Sequence, residues 1–158
     1  TLLLCEMAAQ AKANASSLYM ELVKLYNKFG FYKEHLISIT KKGIEGANEI
    51  KQMMTNLREN PVKEINGQRV VMVEDYKSSV AKNLFSGETE NLLLPKSDVL
   101  IYYLEDGTKI CARPSGTEPK IKFYFSVNTE LKDRESFDQK YQMLQEKING
   151  IIKDMQLN

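Results

Sequence analysis

The sequence predicts an α+β fold: one mostly antiparallel sheet with helices packed on one face, preceded by two further helices. Three observations carry this. "SDVLIYYLEDGTKICARP" sets two apolar strands around an Asp106-Gly107 turn, which reads as a hairpin. From about residue 31 the order is β, α, β, β, β, β, α, and the strands are joined by local hairpins rather than βαβ crossovers. The final segment carries Phe137, Tyr141, Leu144, Ile148, Ile151 or Ile152, and Met155 at helical spacing, so it lays one apolar stripe on the sheet.

Taken in chain order, Leu2 to about Ala13 has helix-forming composition. After "NASS" a second helix starts with Ser16 or Ser17 as N-cap. Its apolar positions Leu18, Leu22, Leu25, Tyr26 and Phe29 recur at three and four residues, and Gly30 ends it. "HLISIT" alternates as a strand, and a helix follows with Ala47, Ile50, Met54 and Leu57 on one face until Asn60-Pro61 stops it. "NGQRVVMVEDY" supplies an Asn66-Gly67 turn and a strand, whereas residues 77 to 95 read as a long irregular connection. In "IKFYFSV" the residues Ile121, Phe123, Phe125 and Val127 share one face. The expected division is residues 1–30, the helical end of a preceding domain, and residues 31–158, a compact C-terminal domain.

Composition limits the function. With 158 residues, 42% hydrophobic and 27% charged, the chain is expected to fold around its own core without disulfides. A net charge of +1 gives no general pull toward nucleic acid or an anionic membrane, so any anion binding must be local. Cys5 and Cys111 are too few and too far apart for a disulfide framework or a zinc site, and a reducing cytoplasm is the default location. No apolar run reaches the ~18 residues of a membrane span, and Glu6 interrupts anything like a signal peptide. The chain opens on Thr1, without methionine and almost directly into a helix, so it is expected to be part of a longer protein.

The chemistry is concentrated at residues 113 to 120, between a strand ending at Ala112 and one beginning at Ile121. Arg113 offers a planar fork of donors that suits phosphate oxygens at any pH. Ser115 and Thr117 add hydroxyls, and Gly116 allows backbone N–H groups to turn toward one point and an anion to approach closely. Pro114 and Pro119 stiffen the flanks, and Lys120 and Lys122 add point charges, Lys122 opposite in direction to the apolar row. A Ser-Gly-Thr by itself is ordinary turn chemistry; the arginine, prolines and lysines around it tip the reading toward phosphate. The loop lacks the GxxxxGK[ST] spacing of a P-loop and joins strand to strand, so it offers a holding site with no nucleophile and no metal ligands. His35 reads as a surface or strand-edge residue, Cys111 as a buried small hydrophobe, and Glu105 and Asp106 as part of the hairpin turn. The aromatic run Tyr102, Tyr103, Phe123, Tyr124 and Phe125 reads as core rather than as a base-stacking platform.

"RPSGTEPKIKFY" resembles the C-terminal phosphate-binding loop of the α-D-phosphohexomutases, the family of phosphoglucomutase and phosphomannomutase. "LLLCEMAAQAK" and "SLYMELVKLYNKFGFY" are similar to the helices that close the third domain of these enzymes. "VEDYKSS" and the stretch from "LLLPKSD" to "YFSV" are similar to the fourth, so the resemblance covers essentially the whole chain. It implies a TATA-binding-protein-like C-terminal domain in a four-domain enzyme that interconverts hexose 1-phosphate and hexose 6-phosphate. In that family a phosphoserine donates its phosphoryl group, a hexose 1,6-bisphosphate forms and turns around, and Mg²⁺ assists. The fourth domain holds the phosphate that is not reacting. Arg113, Ser115, Gly116 and Thr117 match the family's phosphate contacts, and Lys120 and Lys122 fall where it places a further basic residue. The serine loop of type TASHNP, the metal loop of type DGDGDR and the sugar loop of type GEESG are absent from these 158 residues. The implied partners are a phosphosugar, glucose ahead of mannose, and the remaining domains; the isolated chain is expected to be inactive. The competing reading is a stand-alone anion-binding interaction module.

Overall fold

The computed structural model describes residues 1–132 and 136–157. Two helices lead, α1 (Leu2–Ala13) and α2 (Leu18–Phe29). Ser17 rather than Ser16 caps α2, its hydroxyl accepting from the Met20 amide at 3.2 Å. Ser16 instead donates to Glu21 at 2.6 Å. Gly30, at φ +95°, turns the chain directly into β1 (Phe31–Thr40). That strand begins four residues before "HLISIT", and its first residue, Phe31, is buried. After α3 (Gly43–Glu59) come β2 (Glu64–Ile65), β3 (Gln68–Asp75), β4 (Val80–Asn83), β5 (Thr89–Asn91), β6 (Leu100–Leu104), β7 (Lys109–Pro114) and β8 (Lys120–Thr129), and then α4 (Phe137–Asp154).

All ladders are antiparallel. The sheet runs β1-β8-β7-β6-β3-β4-β5, with β2 paired to β3 outside this path. The α+β class is as the sequence predicts, but residues 77–95 are not irregular. They hold β4 and β5, which extend the sheet beyond β3. The side chains of β5, Thr89, Glu90 and Asn91, are all exposed, so backbone pairing makes this strand without any apolar alternation in the sequence. Asn83 shapes the turn between the two strands, its Oδ1 accepting from the Phe85 and Ser86 amides at 2.9 and 3.1 Å.

The core lies between the sheet and α3 and α4. Ile121, Phe123, Phe125 and Val127 of β8 are completely buried, as their alternation predicts. Leu144, Ile148, Ile151 and Ile152 of α4 bury against the same layer, so both candidate isoleucines take part. On α3, Ile50 and Met54 are buried and Leu57 is half-buried, whereas Ala47 is exposed and Gly46 takes the tight position. Tyr102 is fully buried with its hydroxyl donating to the Leu57 carbonyl at 2.7 Å, so its polar end is satisfied.

The leading helices attach at one corner. Tyr26 packs on Phe31 at 4.6 Å between ring centroids, and Phe31 on Phe137 at 4.8 Å, so α2, β1 and α4 share an aromatic cluster. Much of α1 stays outside it, with Leu2 85% exposed and Leu3 and Leu4 also exposed.

Candidate functional site

Arg113 and Pro114 belong to β7, and Lys120 belongs to β8, so the sequence-predicted loop of eight residues shortens to residues 115–119. The ladder continues this far because Arg113 pairs with Lys122 and Pro114 with Ile121. Arg113 therefore stands on a strand facing a lysine on the neighbouring strand. The alternation that buries Ala112, Ile121 and Phe123 under the helices turns Arg113, Lys122 and Tyr124 to the open face of the sheet.

Like charges placed directly opposite on an antiparallel pair repel, typically by a few tenths to 1 kcal/mol. Neither Arg113 nor Lys122 has an ion-pair partner among the described residues. They line a hollow of about 230 Å³ together with Ser115, Gly116, Glu118 and Lys120. Lys120 is partly neutralised, its Nζ lying 3.0 Å from Glu118 Oε2. Thus one small concavity is lined by three cations, one carboxylate, the hydroxyl-bearing Ser115 and Tyr124, and a glycine backbone.

The loop is held by its own backbone. The Ser115 amide donates to the Lys120 carbonyl at 2.7 Å, and the Lys120 amide to the Glu118 carbonyl at 2.7 Å. The Thr117 and Glu118 amides both turn toward Ser115 Oγ, at 3.4 and 3.3 Å. The convergence of N–H groups expected around Gly116 is present, and here it is the serine hydroxyl that accepts. Gly116 has no positive φ, and a Cβ there would meet nothing within 4 Å. Backbone conformation therefore does not require glycine at this position; what its missing side chain provides is open space beside Arg113.

Thr117 is the one predicted residue set apart. It lines a second hollow, of about 350 Å³, on the α3 side of the loop, with Lys51, Thr55 and Lys77 at the rim and Ile50 and Met54 on the floor. Ser115, Gly116 and Glu118 border both hollows. Sequence reasoning missed Lys51 and Lys77. They lie far apart in the chain and carry no local motif; α3 carries Lys51 to the loop and the turn after β3 carries Lys77.

Other candidates fall as follows. His35 sits on the edge strand β1 opposite Phe125, as expected for a strand-edge residue. Cys111 is a correction: it is half-exposed on the open face, not buried, because it shares the alternation of Arg113. Its burial is still enough to push the thiol up, against the pull of Lys109 and Arg113. Asp106 stays in the turn, its Oδ1 accepting from the Thr108 amide at 2.9 Å, and its Oδ2 also pairs with Lys147 of α4 at 2.7 Å. Beside Cys111 on the open face, Tyr76 and Tyr103 both donate to Glu74 Oε2, at 3.0 and 3.1 Å. Among the described residues no three His, Cys, Asp or Glu side chains converge as a metal-ligand set. Among them too, no helix is long and apolar enough to cross a membrane.

Sheet, covering helices and a cation-lined loop at one strand connection define the class: an α+β domain whose distinctive chemistry lies in a single β-hairpin. The profile of the family described as phosphoglucomutase/phosphomannomutase, C-terminal domain, matches residues 49–139. The chain belongs to this family. It is 38% identical over 150 residues to a phosphoglucomutase of Staphylococcus aureus strain MSSA476, covering 95% of this chain and 25% of the relative. It is 36% identical over 130 residues to a phosphoglucomutase of Staphylococcus saprophyticus, covering 81% of this chain and 22% of the relative. The chain thus spans about a quarter of the length of the curated relatives it matches. Among solved structures it is similar to the open form of parafusin, a phosphoglucomutase from Paramecium, at TM-score 0.45 and 14% identity, covering 87% of this chain and 23% of that one.

Proposed function

We propose that this chain is the C-terminal part of a cytoplasmic phosphohexomutase interconverting hexose 1-phosphate and hexose 6-phosphate, and that its β7–β8 connection anchors the phosphate that is not reacting. The observation that carries this reading is the unpaired Arg113 facing Lys122 across the ladder. A phosphate between them would turn a repulsive pair into two charge-assisted contacts. Arg113 would grip two phosphate oxygens with its fork, Lys120 and Lys122 would neutralise the rest, and Ser115 would donate its hydroxyl. Gly116 leaves the room for close approach, and Thr117 closes the rim from the α3 side.

Such a site recognises phosphate and not sugar. It therefore serves a substrate that must bind in two orientations, including the hexose 1,6-bisphosphate that turns around between the two transfers. Holding the far end fixes the near end in line, and that remote binding energy appears in the rate. Glucose as the sugar is supported by the names of the relatives, which are phosphoglucomutases. Mg²⁺ would assist phosphoryl transfer when bound. Among the described residues no ligand set for it gathers, and we assign its site to another domain of the full-length chain.

We assign residues 1–30 to the end of the preceding domain and residues 31–158 to the C-terminal one. The exposed Leu2, Leu3 and Leu4 support this, as side chains that further chain would cover.

The test is Arg113→Ala in the full-length enzyme. Losing charge-assisted hydrogen bonds worth about 1.5 to 3 kcal/mol lowers kcat/KM by roughly ten- to a hundredfold. An unchanged kcat/KM removes Arg113 from the site.

A further inference from the structure

Glu118 is the one loop residue that the phosphate reading leaves without a role, and it is an anion placed at the rim of a site proposed to bind anions. Its backbone is engaged on its own account, the amide toward Ser115 Oγ and the carbonyl accepting from the Lys120 amide. Its carboxylate meets Lys120, Oε2 lying 3.0 Å from Nζ. The Glu118 side chain is 60% exposed and that of Lys120 29%, so the carboxylate can swing into water while the ammonium stays at the hollow. Arg113, Lys120 and Lys122 bring three positive charges and Glu118 one negative. With Glu118 in place the balance is two positive charges, and with its carboxylate displaced three face a phosphate monoester, which carries about −1.5 to −2 near pH 7.

We propose that Glu118 is a built-in competitor for the phosphate. Its carboxylate occupies Lys120 while the hollow is empty, and an arriving phosphate displaces it. The cost of that displacement keeps the anchored phosphate weakly held and quickly released, as a substrate that must let go and rebind in the opposite orientation requires. The proposal rests on the phosphate reading of the same hollow.

A residue that merely positions the loop and one that competes with the ligand give opposite signs when removed. The 158-residue chain is titrated with inorganic phosphate at fixed ionic strength, as wild type, Glu118→Gln, Arg113→Ala, Lys120→Gln and the Glu118→Gln/Lys120→Gln double variant. Exposed ion pairs are weak, so Glu118→Gln tightens binding by about two- to fivefold. In the Lys120→Gln background that gain largely disappears, since the competition acts through the ammonium. Arg113→Ala weakens binding. If Glu118→Gln leaves affinity equal or lower while Arg113→Ala still weakens it, the phosphate site stands and the competitor role is overturned. If wild type shows no saturable binding, the phosphate reading falls and the competitor role with it.

Discussion

The Arg58 guanidinium donates from Nε to Asp75 Oδ1 at 3.1 Å, fastening α3 to the end of β3. Its other arm reaches Asp98 just before β6, so one side chain ties a helix to two parts of the sheet behind residues 115–119. Both Arg58 and Asp75 are largely shielded from water. Arg58→Ala is expected to cost about 2 to 3 kcal/mol, because it removes charge-assisted hydrogen bonds and leaves Asp75 without its cation. Urea unfolding of the two proteins measures the difference.

The same contact sets a pH dependence. Burial alone would push the Asp75 carboxyl up, but the Ser78 hydroxyl, the Arg58 guanidinium and the Lys77 amide outweigh it and hold it below the usual carboxylate range. A group whose pKa is lowered by folding adds stability above its unfolded value, about 3.9, and loses it as pH falls through the folded value. Unfolding free energies should therefore drop on acidification below about pH 4, and the drop should be smaller in Asp75→Asn.

Gly46 inverts a helix rule. Alanine in a helix interior is normally better than glycine by about 0.5 to 1 kcal/mol. Here a Cβ would stand 2.5 Å from Lys41 Cβ and 2.8 Å from the Lys41 carbonyl carbon. Lys41 cannot retreat freely, since its amide donates to the Pro119 carbonyl at 2.9 Å. Gly46→Ala should destabilise by about 1 to 3 kcal/mol and shift the amide resonances of residues 115–118 and Lys120. A gain in Tm would show that the crossing at Lys41 is looser than described.

Phe31 carries the attachment of α2. It is buried between Tyr26 and Phe137, so Phe31→Ala should cost about 3 to 5 kcal/mol. Hydrogen exchange should rise in α2 before it rises in β6 to β8, because the lost contacts belong to that corner.

Three of the eight tyrosines should titrate late. Burial pushes the Tyr103 hydroxyl up to about 12, with the charge of Glu74 adding to it, and burial likewise raises Tyr102 and Tyr76. Groups raised by folding stabilise fully below their ordinary value, about 10, and that stability is lost as pH rises through the folded values. Spectrophotometric titration should show phenolate forming in two stages, the later one coinciding with loss of structure between about pH 10 and 12.

Where periodicity and turn chemistry agree, the sequence was transparent. Asp106-Gly107 between apolar strands, the alternation from Ile121 to Val127 and the α4 stripe each report burial directly, and burial organises this fold. β5 was hidden because a strand of exposed polar side chains at a sheet edge leaves no apolar trace, and β4 because its two apolar residues, Val80 and Ala81, are adjacent and give no alternation. Within the site, Arg113, Lys120 and Lys122 were legible because they are close in sequence. That Arg113 faces Lys122 depends on the register of two strands, and Lys51 and Lys77 reach the loop only through tertiary packing, Lys51 on α3 and Lys77 on the turn after β3. Cys111 was misplaced because a thiol is equally at home on either face, and the strand's phase, set by Ile110 and Ala112, decides which one it takes.

The most direct test of the account is an amide chemical-shift titration of the 158-residue chain with inorganic phosphate. The account predicts saturable shifts centred on Arg113 and on Ser115 to Thr117, extending to Lys120 and Lys122. Shifts confined elsewhere, around Lys51 and Lys77 for example, would contradict it.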